Sequence, residues 1–280
     1  MSLKSFIPIL FAAAMLAACT GTKQNNESQV TESIPSAEVT KTENAEKPPK
    51  TEESVEENTE EAIVETQPIY KLNEANWVIE RLDGSDEKNV LLTIDDAPDK
   101  HSLEMAEILN KLGVKAIFFV NGHFLDTPVE EERLKKIHEM GFAIGNHTYS
   151  HQNLTKISEE EQKQEIVRLN DRVKEIIGVS PAFFRAPFGM NTDYSKEVAE
   201  QEGMLLMNWT YGYDWEKQYQ NPDSLAEIMV ASPYLTNGAN LLMHDRGWTK
   251  DALEDIVKGL QAKGYSIADP DLIEVPKKEN

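Results

Sequence analysis

From residue 89 onward the sequence predicts an α/β fold built on a parallel sheet, and three observations carry that reading. Short apolar runs rich in β-branched and aromatic residues recur along this stretch. Segments of helical period separate them, and five of those segments stop at a glycine. Polar residues gather where several of the runs end. Strands alternating with helices make a parallel sheet, because parallel neighbours need a crossover between them.

Asn89–Ile94 is a short apolar run ending in acids and reads as a buried strand. Ser102–Leu112 sets Leu103, Ala106, Ile108, Leu109 and Leu112 at helical spacing and stops at Gly113. Lys115–Val120 is β-branched and aromatic, a second strand ending at Asn121-Gly122. Val129–Met140 is a helix stopping at Gly141, and Phe142–Ile144 a short strand. Ser158, with Glu161 three residues on, forms a capping-box pattern that opens a long helix to Ile177-Gly178. Ala182–Phe184 is a strand, Asp193–Glu202 a helix ending at Gly203, and Met204–Trp209 a strand. Pro222–Tyr234 (helix), Ala239–Met243 (strand), Lys250–Lys263 (helix, ended by Gly264) and Tyr265–Ala268 (strand) complete seven strands. Periodicity does not choose between an open sheet and a barrel. Tyr70–Leu82 is expected to form an extended or hairpin cover, within a cover segment spanning 69–88.

The N-terminus is of another kind. Lys4 precedes a 13-residue apolar run, Phe6–Ala18, broken only by Pro8. A membrane-spanning helix needs about 20 residues, so the run fits the apolar region of a secretory signal. It ends Leu16-Ala17-Ala18-Cys19, which resembles the bacterial lipobox. Residues 1–18 are therefore expected to be a lipoprotein signal peptide. Cys19 would be the lipidated first residue of the mature chain, at the extracytoplasmic face of the membrane. Two acyl chains make a stable anchor where one is marginal. From Thr20 to Pro68 there are twelve Glu, four Lys, four Pro and no aromatic residue. Such a segment cannot offset its chain entropy by burial, so 19–68 is expected to be a disordered acidic tether.

The chain carries 28 Lys and Arg against 49 Asp and Glu, a formal charge of −21. That argues against nucleic acid as a partner and against docking on anionic lipid by charge. One cysteine excludes an intrachain disulfide framework and a cysteine-based zinc cluster. Ligands of any bound metal must then be His, Asp or Glu. Oligomeric state is left open.

Chemistry in α/β folds gathers at the carboxyl ends of strands. Asp95 and Asp96 follow the first strand here, and Asn146, His147 and His151 the third. Arg185-Ala186-Pro187-Phe188-Gly189 follows the fourth, Asp214-Trp215 the fifth, and His244-Asp245 the sixth. His147 and His151 have the spacing of two imidazoles one helical turn apart. With one carboxylate they supply three ligands and leave positions open for water or substrate. Alone, such a pair is more often two exposed histidines, and an Asp-Asp dipeptide a turn. Their joint occurrence at successive strand ends is what points to a site.

In order, Thr93-Ile94-Asp95-Asp96-Ala97-Pro98, His147-Thr148-x-x-His151, Arg185-Ala186-Pro187-Phe188-Gly189, Asp214-Trp215 and Leu242-Met243-His244 resemble the five motifs of the polysaccharide deacetylases. This is the NodB-homology group, carbohydrate esterase family 4. Lys115–Val120 also resembles that family's second strand. The resemblance implies a distorted (β/α) barrel over 89–275 and metal-dependent removal of N-acetyl groups from sugars. Carried over by position, Asp95 would be the general base, and Asp96, His147 and His151 the metal ligands. Arg185 would hold Asp95, and Asp214 would orient His244, the general acid. Leu242 and Trp215 would line the pocket for the acetyl methyl, and the backbone N–H near Phe188 would serve the oxyanion. Zn²⁺ is the expected metal, with Co²⁺, Ni²⁺ or Mn²⁺ compatible with the same donors.

The chemistry is consistent with that assignment. An acetamide is a poor electrophile with an amine leaving group. A divalent ion polarises the carbonyl and acidifies a water, a carboxylate that is not a ligand takes its proton, and an imidazolium protonates the leaving nitrogen. The expected substrate is GlcNAc in cell-wall glycan. Chitooligosaccharides, MurNAc, exopolysaccharide and O-acetyl esters are alternatives within the class, and a non-catalytic glycan-binding lipoprotein is the rival outside it. A solute-binding lipoprotein would need a larger, two-lobed chain. The intact Asp95-Asp96 pair argues against a MurNAc-specific type. Two departures bear on the site: Ala97 stands where the family has glycine, so that turn must accept a Cβ, and the loop Trp209–Trp215 is one residue short. His101, His123 and His138 lie outside the motifs and read as surface or helix-end residues, with a cleft position the alternative for His123; Trp209 is placed in packing, and Trp248 either in packing or stacked on a sugar.

Overall fold

The computed structural model describes residues 67–278. The expected signal peptide, Cys19 and nearly all of the expected tether lie outside the described residues. Two short antiparallel strands, β1 (Tyr70–Leu72) and β2 (Ile79–Arg81), form the hairpin alternative for the cover segment. Seven parallel strands follow: β3 (Asn89–Ala97), β4 (Ile117–Val120), β5 (Ala143–Asn146), β6 (Phe183–Phe184), β7 (Leu205–Leu206), β8 (Ala239–His244) and β9 (Ser266–Ile267). Between them lie α1 (Ser102–Lys111), α2 (Pro128–Glu139), α3 (Glu159–Ile177), α4 (Asp193–Gln201), α5 (Pro222–Ala231) and α6 (Gly247–Ala262). The helix expected over 222–234 stops three residues earlier, and the last helix begins three residues before its expected start.

Neighbouring strands run β7-β6-β5-β4-β3-β8, with β9 beside the first residues of β3. The segment after β7 decides between open sheet and barrel. Leu205 and Met207 donate to β6-side carbonyls of Ala182 and Phe184, and then Thr210 donates to Asn240 of β8 while Leu242 donates back to Tyr211. One arched segment thus bonds to both edges and closes a distorted barrel. This is why the strand expected over 204–209 is regular for only two residues.

Side-chain alternation sorts the core. Leu91, Ile117, Phe119, Phe183 and Met207 fill the barrel interior, closed by Tyr70 and Ile79 of the hairpin together with Ala268 and Ile273. Leu92, Ile94, Phe118, Val120, Leu241 and Met243 belong to a second core that includes Met105 and Leu109 of α1 and Leu253 and Ile256 of α6. Both faces are covered, so the strands read as continuous apolar runs. The capping box is present, with Ser158 Oγ accepting from Glu161 N and Glu161 accepting from Ser158 N. At the other end of α3, Gly178 takes φ 82°, a left-handed cap that a side chain would strain.

Candidate active site

At the carboxyl end of the barrel a cavity of about 400 Å³ is lined by Asp95, Asp96, His147, His151, Phe188, Trp209, Trp215, Leu242, His244 and Arg246. Register explains part of this. Asp95 is the direct partner of His244 across β3 and β8, and Thr93 of Leu242. Residues two apart share a face, so Thr93 and Asp95, and likewise Leu242 and His244, point the same way.

Asp95 and Asp96 do not follow the strand, as the sequence suggested, but lie inside β3 at a bulge. The bulge places Asp96 at φ 62°, in the left-handed region. Ala97 is fully buried beside Val120 and is not among the positive-φ residues, so its Cβ is accommodated. Each of the two neighbouring acids reaches one imidazole, Asp95 Oδ2 lying 3.5 Å from His147 Nε2, but their other partners differ. Arg185 Nη1 donates to Asp95 Oδ1 at 2.7 Å and to Thr93 Oγ1 at 2.8 Å. The rest of that guanidinium donates to the carbonyls of Met207 and Asn208, and it stacks on Phe119 with 4.2 Å to the ring centroid. Asp96 turns toward the imidazoles, with Oδ1 3.5 Å from His151 Nε2, while Arg246 donates to its Oδ2 at 2.8 Å. Burial works against charge on Asp96, but His244, His147, His151 and Arg246 outweigh it and hold its carboxyl below the usual range.

His147 and His151 are not a helical pair. The segment between them is a loop in which Thr148 (φ 67°) and His151 (φ 57°) are left-handed. It brings the two rings to 5.0 Å. His147 Nδ1 lies 2.7 Å from the Arg185 carbonyl, which can only accept, so Nδ1 carries a hydrogen and Nε2 is the nitrogen turned to the cluster. Asp96, His147 and His151 each offer one ligand atom, all within 4.8 Å of one another. That donor set, with one imidazole oriented by a carbonyl behind it, fits a divalent metal such as zinc. Burial, and then repulsion from His147, push the His151 imidazole below its ordinary range, which keeps the neutral form a ligand requires.

Across the cavity Asp214 is fully buried. It accepts from His244 Nδ1 at 2.7 Å, from His244 N at 2.6 Å and from Thr249 Oγ1 at 2.8 Å. Burial disfavours an imidazolium at His244. The Asp214 hydrogen bond and charge, with Asp95 and Asp96 behind, outweigh it and raise the pKa. Trp215 stands edge-on to His244 at 5.5 Å, and Phe188, at φ 61°, packs on His151 at 4.9 Å with its ring largely exposed.

All ten sequence-selected residues within the described part fall at this one site or, for Arg185 and Asp214, directly behind it. His123 does not line the cavity; its ring meets the Tyr149 carbonyl. Trp209, expected in packing, does line it. Trp248 spends its indole N–H on the Asp214 carbonyl and packs on the core rather than lining the cavity. Arg246 and Thr249 were missed. A period-two reading continued past Leu242 and His244 reaches Arg246; no local pattern marks Thr249.

The model of the polysaccharide deacetylase family matches residues 83–207. That stretch, from before β3 through β7, is similar to a polysaccharide deacetylase domain. Over 185 residues the chain is 31% identical to a peptidoglycan-N-acetylglucosamine deacetylase of Bacillus cereus, covering 62% of this chain and 64% of that one. It is 28% identical over 217 residues to the peptidoglycan-N-acetylmuramic acid deacetylase PdaA of Bacillus subtilis, covering 73% and 80%. The uncharacterized protein YlxY of Bacillus subtilis is 31% identical over 73% of this chain, which spans 59% of that relative's length. Among solved structures, peptidoglycan deacetylase PdaC of Bacillus subtilis superposes with a TM-score of 0.59 at 27% identity, covering 67% of this chain and 90% of that one. The protein BA3943 of Bacillus anthracis, described as a pseudoenzyme of carbohydrate esterase family 4, gives 0.60 at 28%, covering 65% and 63%.

Proposed function

We propose that the protein is a metal-dependent N-deacetylase acting on GlcNAc residues of cell-wall glycan, peptidoglycan above all. The observation that carries the reading is the donor set of Asp96, His147 and His151, whose ligand atoms lie within 4.8 Å of one another, with Asp95 outside that set, bonded to buried Arg185 and 3.5 Å from His147. One acid is placed to serve a metal and the other stays a base. A divalent ion held by Asp96, His147 and His151, with Zn²⁺ proposed, would polarise an acetamide carbonyl and acidify a water.

The chain's own residues supply the rest. Asp95, held in place by Arg185, takes a proton from the attacking water as the C–O bond forms. His244, held as imidazolium by Asp214, gives a proton to the sugar nitrogen as the C–N bond breaks. Acetate and a free amine leave. Leu242 and Trp215 form the apolar wall for the methyl, and the backbone at Phe188 the donor for the oxyanion. The proposal extends to the N-terminus: Cys19 carries a lipid anchor and residues up to 68 let the domain at 89–275 reach the wall from the extracytoplasmic face of the membrane. Among the described residues no helix is long and apolar enough to cross a membrane.

Incubation of purified muropeptides and chitooligomers with the metal-loaded protein, followed by mass spectrometry, tests the reading. Loss of an acetyl group from GlcNAc is expected. Glycan binding without acetyl loss under Zn²⁺, Co²⁺, Ni²⁺ and Mn²⁺ alike would replace it with the non-catalytic reading.

A further inference from the structure

We propose that Glu165 of α3 is a positioning residue for the metal centre, fixing the backbone between His147 and His151 so that both imidazoles face Asp96. The assignment rests on the metal reading of that cluster.

Left-handed backbone at a residue with a side chain costs on the order of 1–3 kcal/mol and persists only where its surroundings over-determine it. The ligand loop holds two such residues, Thr148 and His151, and Thr148 is β-branched. Its first half is tied to β4 and β5. Asn121 Nδ2 donates to the carbonyls of His147 (2.6 Å) and Thr148 (3.2 Å), and Thr148 N donates to Asn146 Oδ1 at 2.9 Å. The half next to His151 is tied to α3 by Glu165. Ser150 N donates to Oε2 at 2.7 Å, Ser150 Oγ donates to Oε1 at 2.6 Å, and Tyr149 N donates to the Glu165 carbonyl at 2.9 Å. The two bonds to the carboxylate, 2.7 and 2.6 Å, are short ones. Glu165 makes no ion pair with any Lys, Arg or His among the described residues, so both its oxygens serve this loop.

The neighbouring contacts share the task. Arg168, one turn on from Glu165, lies over the Tyr149 ring, 3.5 Å from its centroid, and Asp126 accepts from the Tyr149 hydroxyl at 2.7 Å. The other ring face meets Gly122 so closely that a Cβ there would be 2.2 Å from the ring. Tyr149 is thus gripped on both faces. Ser150, which leads into His151, has the Glu165 carboxylate. Removing that carboxylate frees the strained end of the loop, which weakens metal binding.

The test uses the full chain, stripped of metal and titrated with Co²⁺, whose visible absorption reports coordination. Three variants are compared with the unmodified protein. E165Q is expected to weaken Co²⁺ affinity about 10–100-fold, the usual effect of losing an outer partner of a ligand, and to alter the band shape. At saturating Co²⁺ its turnover should return to within a few-fold. S150A, which removes one of the two carboxylate bonds, should weaken affinity by a smaller factor and serves if E165Q does not fold. E161Q breaks the capping box of the same helix away from the loop, so it should lower thermal stability and leave affinity unchanged. Unmodified Co²⁺ affinity in E165Q, or in S150A, overturns the assignment. So does an equal loss in E161Q, which would mean that any weakening of α3 suffices. If the unmodified protein takes up no Co²⁺, the metal reading itself fails, a result distinct from the others.

Discussion

The contact between Asp214 and His244 yields the sharpest prediction for activity, through Asp214→Asn. One oxygen of Asp214 faces a single donor, His244 Nδ1; the other faces two, His244 N and Thr249 Oγ1. An asparagine amide set against two donors loses two bonds. Set against Nδ1 it loses one, and that one is recovered if the imidazole shifts its proton to Nε2. The second arrangement is therefore expected, with His244 neutral. An opposite charge in contact moves a pKa by about 1–3 pH units, worth roughly 1.4–4 kcal/mol between the two forms. With it gone, burial, the largest influence, is opposed only by the charges of Asp95 and Asp96, and the His244 pKa falls. The sign follows. In the unmodified protein the raised pKa keeps His244 protonated to higher pH, and activity falls as pH rises through it. In the variant this alkaline limb moves to lower pH. At a pH on the original plateau the protonated fraction, and kcat with it, should fall by about 10–10³. The assay is kcat against pH on a chitooligomer, with metal content measured alongside. Activity should recover partly at acid pH, and metal content should stay constant. An equal loss at every pH, with the limb unmoved, would refute the argument and leave Asp214 a purely structural support.

Other outcomes follow from the same geometry. His147→Ala or His151→Ala should sharply reduce bound metal and abolish activity, while Asp95→Asn should keep its metal and lose turnover; elemental analysis beside the activity assay separates them, and equal metal loss in Asp95→Asn and Asp96→Asn would contradict the division between the acids. Arg185→Met strips buried Asp95 of its guanidinium partner and should destabilise the fold by about 3–5 kcal/mol in urea unfolding. Cys19→Ala should abolish labelling by a radioactive fatty acid and release the protein from the membrane fraction or leave its signal uncut.

The sequence by itself determined the α/β class, the seven strands and the order of the site residues. Each of these is written locally. A strand buried on both faces must be an apolar run, as Asn89–Ile94 and Lys115–Val120 are. A helix start is written in Ser158 and Glu161, and a helix stop in Gly178, because each satisfies backbone groups within one turn. The five motifs were legible because their chemistry tolerates few residue types.

Tertiary structure decided what depends on contacts far apart along the chain. Barrel closure rests on Thr210 and Tyr211 meeting Asn240 and Leu242, a pairing no local pattern encodes. The left-handed backbone at Asp96, Thr148 and His151 carries no glycine to announce it, so the bulge in β3 and the loop between the histidines were read as a strand end and a helical turn. Those conformations exist because distant groups hold them: Arg246 on Asp96, Asn121 and Glu165 on the histidine loop. Arg185 reaches Asp95 across 90 residues of sequence and Thr249 reaches Asp214 across 35. A side chain's residue type limits which chemistry it can perform, but which partner it meets is fixed only when the strands register and the barrel closes.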